Sequence, residues 1–315
     1  MLKTTFLNNV LNQYKVKPYL VLLFLIIFSS TTFSETKLVI LGSGTPNPDP
    51  NRFGSGYAII VNEKAYIVDF GPGIVRRISA MSPSWGGEFS AMELENINIA
   101  FLTHIHSDHS GALADLILTP WVMGRDEPLK LFGPQGLKKM AKKISEAYED
   151  DINYRLYGSQ PANKLGYLTN VSEIFDDGLI YKDDNVEVTA FKNSHGDLED
   201  SFGYLFETND KKILFSGDTA VSENLKKYGK NLDILVHEVF SSETFENKTK
   251  EWQIYHKAHH TSSIDLGKIA NELKPNKLVL SHILFWGASS ESLLSDISQN
   301  FDGTSIIAED LLVID

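Results

Sequence analysis

Four metal-ligand side chains fall within six residues in Thr103-His104-Ile105-His106-Ser107-Asp108-His109, a pattern of the form H-x-H-x-D-H. In extended backbone, residues two apart face the same side, so His104 and His106 can grip one cation. As the chain bends, Asp108 and His109 then face a second. Neutral imidazole is the usual zinc ligand and carboxylate its harder companion, a donor mixture that suits two adjacent divalent ions. A surface histidine cluster without metal is the bland alternative, and so compact a set of donors argues against it. Two dications need more ligands than one loop supplies, so further donors are expected at other strand ends. The chain offers His195 in Asn193-Ser194-His195-Gly196, Asp218 in Ser216-Gly217-Asp218-Thr219, and His282 after Lys277 to Leu280. A single histidine after a strand is more often a hydrogen-bonded loop residue, and Asp218 could form an Asx turn. The H-x-H-x-D-H anchor reverses those odds.

The elements needed to position these donors can be read from hydrophobic periodicity. Lys37 to Leu41, Tyr57 to Val61 and Ala65 to Asp69 read as a three-stranded meander, punctuated by Gly42-Ser43-Gly44-Thr45-Pro46 and Gly71-Pro72-Gly73. Ile97 to Leu102 is a strand running into the histidine segment, followed by a helix from Ser110 that ends near Pro120. Further strands are expected at Lys130 to Phe132, Val186 to Phe191, Tyr204 to Glu207, Lys212 to Phe215, Leu232 to Val236 and Lys277 to Leu280. Helices fit Gly136 to Tyr148, Ser262 to Leu273 and Ser289 to Asn300. Most candidate donors follow a strand's carboxyl end, where α/β sheets place their ligand crevices.

Composition narrows the chemistry. The 315 residues include no cysteine, which excludes disulfides, thiolate nucleophiles and Cys-based zinc sites, so any metal must use His, Asp or Glu. With 29 Lys plus Arg against 41 Asp plus Glu the formal charge is -12, which disfavours general affinity for nucleic acid. At the amino terminus, Lys3, Lys15 and Lys17 precede the apolar run Leu20 to Phe28 and small polar residues up to Ser34, as in an export signal. Residues 1–34 are therefore expected to be a signal peptide, and 35–315 one hydrolase domain in the periplasm or outside the cell. An uncleaved anchor is the alternative; after cleavage no stable transmembrane span is expected. Removing that segment, with three Lys and no acid, leaves 26 basic and 41 acidic residues, a charge of -15.

Over nearly all of Lys37 to Asp315 the sequence resembles the metallo-β-lactamase superfamily. Within it the chain is most similar to the branch of ribonuclease Z, zinc phosphodiesterases and exported arylsulfatases. The resemblance rests on Leu41-Gly42-Ser43-Gly44-Thr45-Pro46, Val68-Asp69-Phe70-Gly71, Ser216-Gly217-Asp218-Thr219, His237-Glu238 and His260-Thr261-Ser262. It implies an α/β fold, a four-layer αββα sandwich. It also implies one zinc on His104, His106 and His195, a second on Asp108, His109 and His282, and Asp218 bridging, with manganese or iron as alternative metals. Cys-dependent β-lactamase chemistry is excluded by composition.

Such a centre would leave a positive pocket in an acidic protein, drawing in a small anionic ester, and metal coordination lowers the pKa of water to about 7. Hydroxide is then the expected nucleophile, oriented by Asp108. His260, at the start of the helix Ser262 to Leu273, matches the family's histidine just outside the ligand set and is assigned the general-acid role, with Glu238 accepting its hydrogen bond and keeping it protonated. In the competing assignment His237, His256 and His259 lie near the site and His260 merely caps. Asp69 is expected to brace a ligand loop. Arylsulfatase or phosphodiesterase activity ranks first and ribonuclease Z-like processing of tRNA 3′ ends is the alternative. A lactonase, a Cys-free β-lactamase and a non-catalytic metal-binding module come after these. Lys138, Lys139, Lys142 and Lys143, followed by Glu149, Asp150 and Asp151, read as a solvated helix face rather than an RNA clamp. Trp121, Trp252, Tyr255 and Trp286 are candidates to stack an aromatic leaving group. A homodimer is compatible with the sequence.

Overall fold

The computed structural model describes residues 35–315, so the signal-peptide reading of 1–34 lies outside the described residues. Strand β1 (Lys37–Gly42), β2 (Gly56–Val61) and β3 (Lys64–Val68) form the expected antiparallel meander. Helix α1 (Ile74–Ala80) leads to β4 (Ile99–Phe101), which pairs parallel with β3 and ends just before the histidine segment. Next come α2 (Ser107–Ser110), α3 (Leu113–Val122), β5 (Leu129–Pro134), α4 (Leu137–Ala147), α5 (Glu149–Tyr157) and β6 (Thr169–Ile174). The second half runs β7 (Gly178–Lys182), β8 (Val186–Lys192), β9 (Phe202–Thr208), β10 (Lys212–Phe215), α6 (Glu223–Tyr228) and β11 (Ile234–Phe240). It continues with α7 (Ser242–Phe245), α8 (Lys250–His259), α9 (Ser263–Leu273), β12 (Lys277–Leu284), α10 (Ser290–Ser298), β13 (Thr304–Ile307) and β14 (Val313–Ile314).

The strands make two seven-stranded sheets, ordered β14-β1-β2-β3-β4-β5-β6 and β13-β12-β11-β10-β9-β8-β7. Each is antiparallel in one part and parallel in another, the change falling at β3/β4 and at β10/β11. Alternation explains the layers: Leu38 and Ile40 of β1 meet Val236 and Val279 between the sheets, while Val39 and Leu41 face α1 and α3. On the far side Leu235, Leu278 and Leu280 pack under α9 and α10. Burial on both faces is why these strands read as continuous apolar runs. The result is the expected αββα sandwich. Among the described residues no helix is long and apolar enough to cross a membrane.

Two departures from the sequence reading have a local cause. The helix expected to stop near Pro120 continues as α3 to Val122. Pro120 lacks the N–H that would bond the Leu116 carbonyl, and the fully buried Arg125 takes its place. Its Nη1 donates to Leu116 O at 3.1 Å and Ile97 O at 3.0 Å, and its Nη2 donates to Ile117 O and Gly166 O, each at 2.7 Å. Burial lowers its pKa only to about 10, so it stays charged at neutral pH. Arg125→Met is expected to cost about 3 kcal/mol, since several buried carbonyls lose a charged donor at once; urea denaturation would measure it. The second departure is β12, which runs past Leu280 to Leu284 and so contains His282.

Candidate metal centre

The site sits where the loops after β4, β8 and β10 converge with the ends of β11 and β12. Asp69, at φ 57°, receives the Thr103 N–H on Oδ1 at 2.8 Å and the Thr103 hydroxyl on Oδ2 at 3.0 Å, and holds His109 Nδ1 at 2.7 Å. It thus braces both ends of the histidine loop, as expected. Gly71 lets that loop lie close, because a Cβ there would meet the Asp108 carbonyl at 2.1 Å. Gly217, at φ 59°, turns Asp218 inward immediately after β10.

His282 reaches the site by a device the sequence pattern hides. Glu238 pairs with Ser281 and Val239 with Ile283, so His282 is the extra residue of a β-bulge, at φ 45°. Val279 faces the space between the sheets and Leu280 the helices, so regular alternation would turn residue 282 towards the helices. The bulge re-aims it.

All seven expected ligands come together, and all but His106 are buried. His106 Nδ1 lies 3.0 Å from His104 Nε2 and 3.3 Å from His195 Nε2. Across the site, Asp108 Oδ2 is 3.0 Å from His282 Nε2 and 3.5 Å from His109 Nε2. Asp218 stands between the groups, 3.4 Å from His109 Nε2, 3.5 Å from His282 Nε2 and 3.9 Å from His104 Nε2. The far nitrogens of three rings are anchored: His104 Nδ1 on Thr103 Oγ1 at 3.0 Å, His109 Nδ1 on Asp69, and His195 Nδ1 on the His259 carbonyl at 2.8 Å. Anchoring one nitrogen fixes the ring and presents the other inward.

The charges are those of a cage made for cations. Burial pushes His104 well down and His195 to about 4, leaving neutral imidazoles. Burial would also lower His109, but Asp218, Asp69 and Asp108 overcome it and raise His109 well above its usual value; Asp218 likewise helps raise His282. The carboxylates thus favour positive charge at these two positions. His109 Nε2 and Asp218 Oδ1 are buried without a hydrogen-bond partner, as befits donors aimed at an ion. The nitrogen and oxygen donor set therefore fits divalent metal, and without sulfur it suits zinc, manganese or iron.

His260 is not at the start of α9. It caps the carboxyl end of α8, its N–H donating to the His256 carbonyl at 2.8 Å, and its ring nevertheless faces the site. Nδ1 lies 3.3 Å from Glu238 Oε2 and 4.0 Å from Asp218 Oδ2. The proton is distributed otherwise than expected: burial pushes His260 to about 4, while burial and Asp218 raise Glu238 far above the carboxylate range. Asp218 already holds the local negative charge, so a second carboxylate nearby keeps its proton. Glu238 Oε1 accepts the Thr261 N–H at 2.8 Å, leaving Oε2 to face His260. His237 is buried with Nδ1 against the Glu238 carbonyl at 2.6 Å, His259 stacks on Tyr255 with ring centroids 4.0 Å apart, and His256 lines the cavity described next.

A cavity of about 400 Å³ opens onto His106, Asp108, Asp218, His260 and His282. Of the four aromatic candidates, Trp121 lies in the core, whereas Trp252, Tyr255 and Trp286 line this cavity. Trp252 is 55% exposed, so much of its ring stays open to a ligand. The sequence reading assigns no role to Thr103, which bonds Asp69 and His104, or to Lys248 of the cavity wall; only Thr103, directly preceding the motif, carries a signal.

Asp69→Asn is expected to lower affinity for divalent ions about 10- to 100-fold, since Asn tolerates the left-handed backbone but removes the charge orienting His109. Competition with a chromophoric chelator would measure it.

Fold and site together define a metallo-β-lactamase-fold hydrolase of the ribonuclease Z and phosphodiesterase-like branch, acting on ester bonds. Residues 36–282 match the model described as anti-Pycsar protein Apyc1, and the chain belongs to that family. A curated relative, ribonuclease Z of Mycobacterium bovis (strain BCG / Pasteur 1173P2), is 26% identical over 257 residues, covering 78% of this chain and 85% of its own length. Among solved structures, the metallo-β-lactamase fold protein YhfI from Bacillus subtilis superposes with a TM-score of 0.68 at 18% identity, over 89% of this chain and 98% of its own. The short form of human tRNase Z superposes with 0.66 at 20% identity, over the same shares of the two chains.

Proposed function

We propose that the protein is a phosphodiesterase for small phosphodiesters, working with two divalent ions, zinc first among them. The observation that carries this is Asp218, placed between the His104, His106, His195 group and the Asp108, His109, His282 group. One group alone would hold one ion; a shared carboxylate between two makes room for a pair. When bound, such a pair would supply an activated water and neutralise charge building on the ester. The chain's own residues would do the rest. Asp108 is placed to accept a hydrogen bond from the attacking water, and the Glu238 and His260 dyad to pass a proton to the departing oxygen. Trp252 offers an open face to a flat substituent.

Phosphodiesters displace sulfate esters from first rank because the curated relative above acts on RNA under its name. The ribonuclease Z alternative set out from the sequence is the nearer one to that name. Small substrates are preferred over tRNA because the chain is acidic, and because Lys142 and Lys143 of α4 are engaged by Glu146 rather than free for phosphates. Export through residues 1–34 is part of this reading. The test is a panel of bis(4-nitrophenyl) phosphate, a cyclic mononucleotide, 4-nitrophenyl sulfate and precursor tRNA with metal-loaded protein. The expected result is kcat/KM for the better small diester at least about 100-fold above the sulfate ester. Faster sulfate hydrolysis would overturn the reading, and preference for precursor tRNA by orders of magnitude would replace it with ribonuclease Z activity.

A further inference from the structure

Among the residues lining the metal cavity, one is a lysine and none an arginine: Lys248, half-buried in the connection between α7 and α8. Its ammonium lies 4.2 Å from the centroid of the Trp286 ring. Among the described residues no carboxylate lies within ion-pair distance of it; the cavity's own carboxylates, Asp108 and Asp218, are taken up by histidines.

The seat of this lysine is built. Trp286 is packed against Phe240, with ring centroids 5.7 Å apart, and against His256 at 4.5 Å, so its ring is held on several sides. Its backbone is left-handed, at φ 48°, a conformation that costs a bulky residue of order 1–3 kcal/mol and persists only where the surroundings enforce it. With Lys248 over it, the indole serves as a platform for the cation rather than as a stacking face for a ligand. Cation and ring together preset a positive charge on the cavity wall at little conformational cost.

A metal pair already meets the single charge of a phosphodiester, so a further fixed cation in the same cavity calls for a second partner. We propose that Lys248, held by Trp286, is a substrate-positioning residue that pairs with a second anionic group of the substrate, away from the scissile bond. The substrate class is then a small phosphodiester whose retained or departing part carries a carboxylate or phosphate. This rests on the phosphodiesterase reading for the bond cleaved, though not for the binding it predicts.

Two near-isosteric diesters separate the terms: bis(4-nitrophenyl) phosphate, and 4-nitrophenyl 4-carboxyphenyl phosphate, which replaces one nitro group by a carboxylate. Wild-type protein should prefer the carboxylated diester in KM by about 10-fold, a preference that falls with added salt. Lys248→Met should abolish that preference, through KM more than kcat. Lys248→Arg should keep part of it, and Trp286→Leu should weaken it by releasing the lysine. Binding of 4-carboxyphenyl phosphate against 4-nitrophenyl phosphate, followed by tryptophan fluorescence, gives the same comparison without turnover. Equal discrimination in wild type and Lys248→Met, by KM or by binding, overturns the proposal. Failure of wild type to cleave either diester overturns the phosphodiesterase reading instead, and the binding comparison still decides the role of Lys248.

Discussion

Asp218→Ala should leave a folded protein that has lost its activity, with turnover down by at least about 10³-fold and bound metal falling from about two ions to below one per chain. The size of the effect follows from position. Asp218 lies within 4.0 Å of His104, His109, His260 and His282, so its removal takes negative charge from every part of the cage at once. It also removes the charge that does most to raise the pKa of His109 and His282 against their burial. Folding should survive because the sheets' cores do not include Asp218, and the buried imidazoles left without it can go neutral. Inductively coupled plasma spectrometry and thermal melts with and without chelator would check this. Wild type should melt lower once chelated, because an ion that binds only the folded state stabilises it, whereas Asp218→Ala should be nearly indifferent. Full hydrolysis by a metal-free Asp218→Ala protein would defeat the dinuclear reading.

The sequence makes the histidine loop, the first meander and most parallel strands legible, because each is a short apolar run closed by Gly, Pro or a polar cluster. Edges are harder. Strands β6, β7, β13 and β14 went unread, since half-exposed edge strands such as Thr169–Ile174 and Gly178–Lys182 lack a continuous apolar run. Helix α8 escaped for a related reason: Trp252, Ile254 and Tyr255 are exposed, so its apolar residues do not mark a buried face. Pro120 misplaced the end of α3 because the partner that rescues the Leu116 carbonyl, Arg125, is recognisable only once folded. In the site, residue types and spacing name the ligands, but not how His282 is aimed, since a bulge leaves no mark on hydropathy. Nor could they show that the Glu238 pKa is raised, which depends on its burial and on Asp218 arriving from a different strand end.

That raised pKa leads to a second large effect. Glu238 Oε2 lies 3.3 Å from His260 Nδ1, and a proton on that oxygen would leave the neutral imidazole carrying its hydrogen on Nε2. Such a pair can deliver acid without first forming an imidazolium: the Glu238 proton moves to Nδ1 as the Nε2 proton moves to the departing oxygen. Neutral imidazole alone is too weak an acid for this, so the carboxyl behind it should matter as much as the ring. His260→Ala and Glu238→Gln are therefore both expected to cost less than about 10-fold with a 4-nitrophenyl leaving group, which departs as a stable anion, and about 10²- to 10⁴-fold with an alkyl leaving group, which needs the proton. The two losses should not add in the double variant, because either change breaks the same relay. A plot of log kcat against leaving-group pKa should accordingly steepen in each variant relative to wild type. If Glu238→Gln leaves that slope as it was while His260→Ala steepens it, the histidine draws its proton from solvent and the relay is wrong. If both leave it as it was, neither residue supplies the acid, and protonation must come from elsewhere in the cavity.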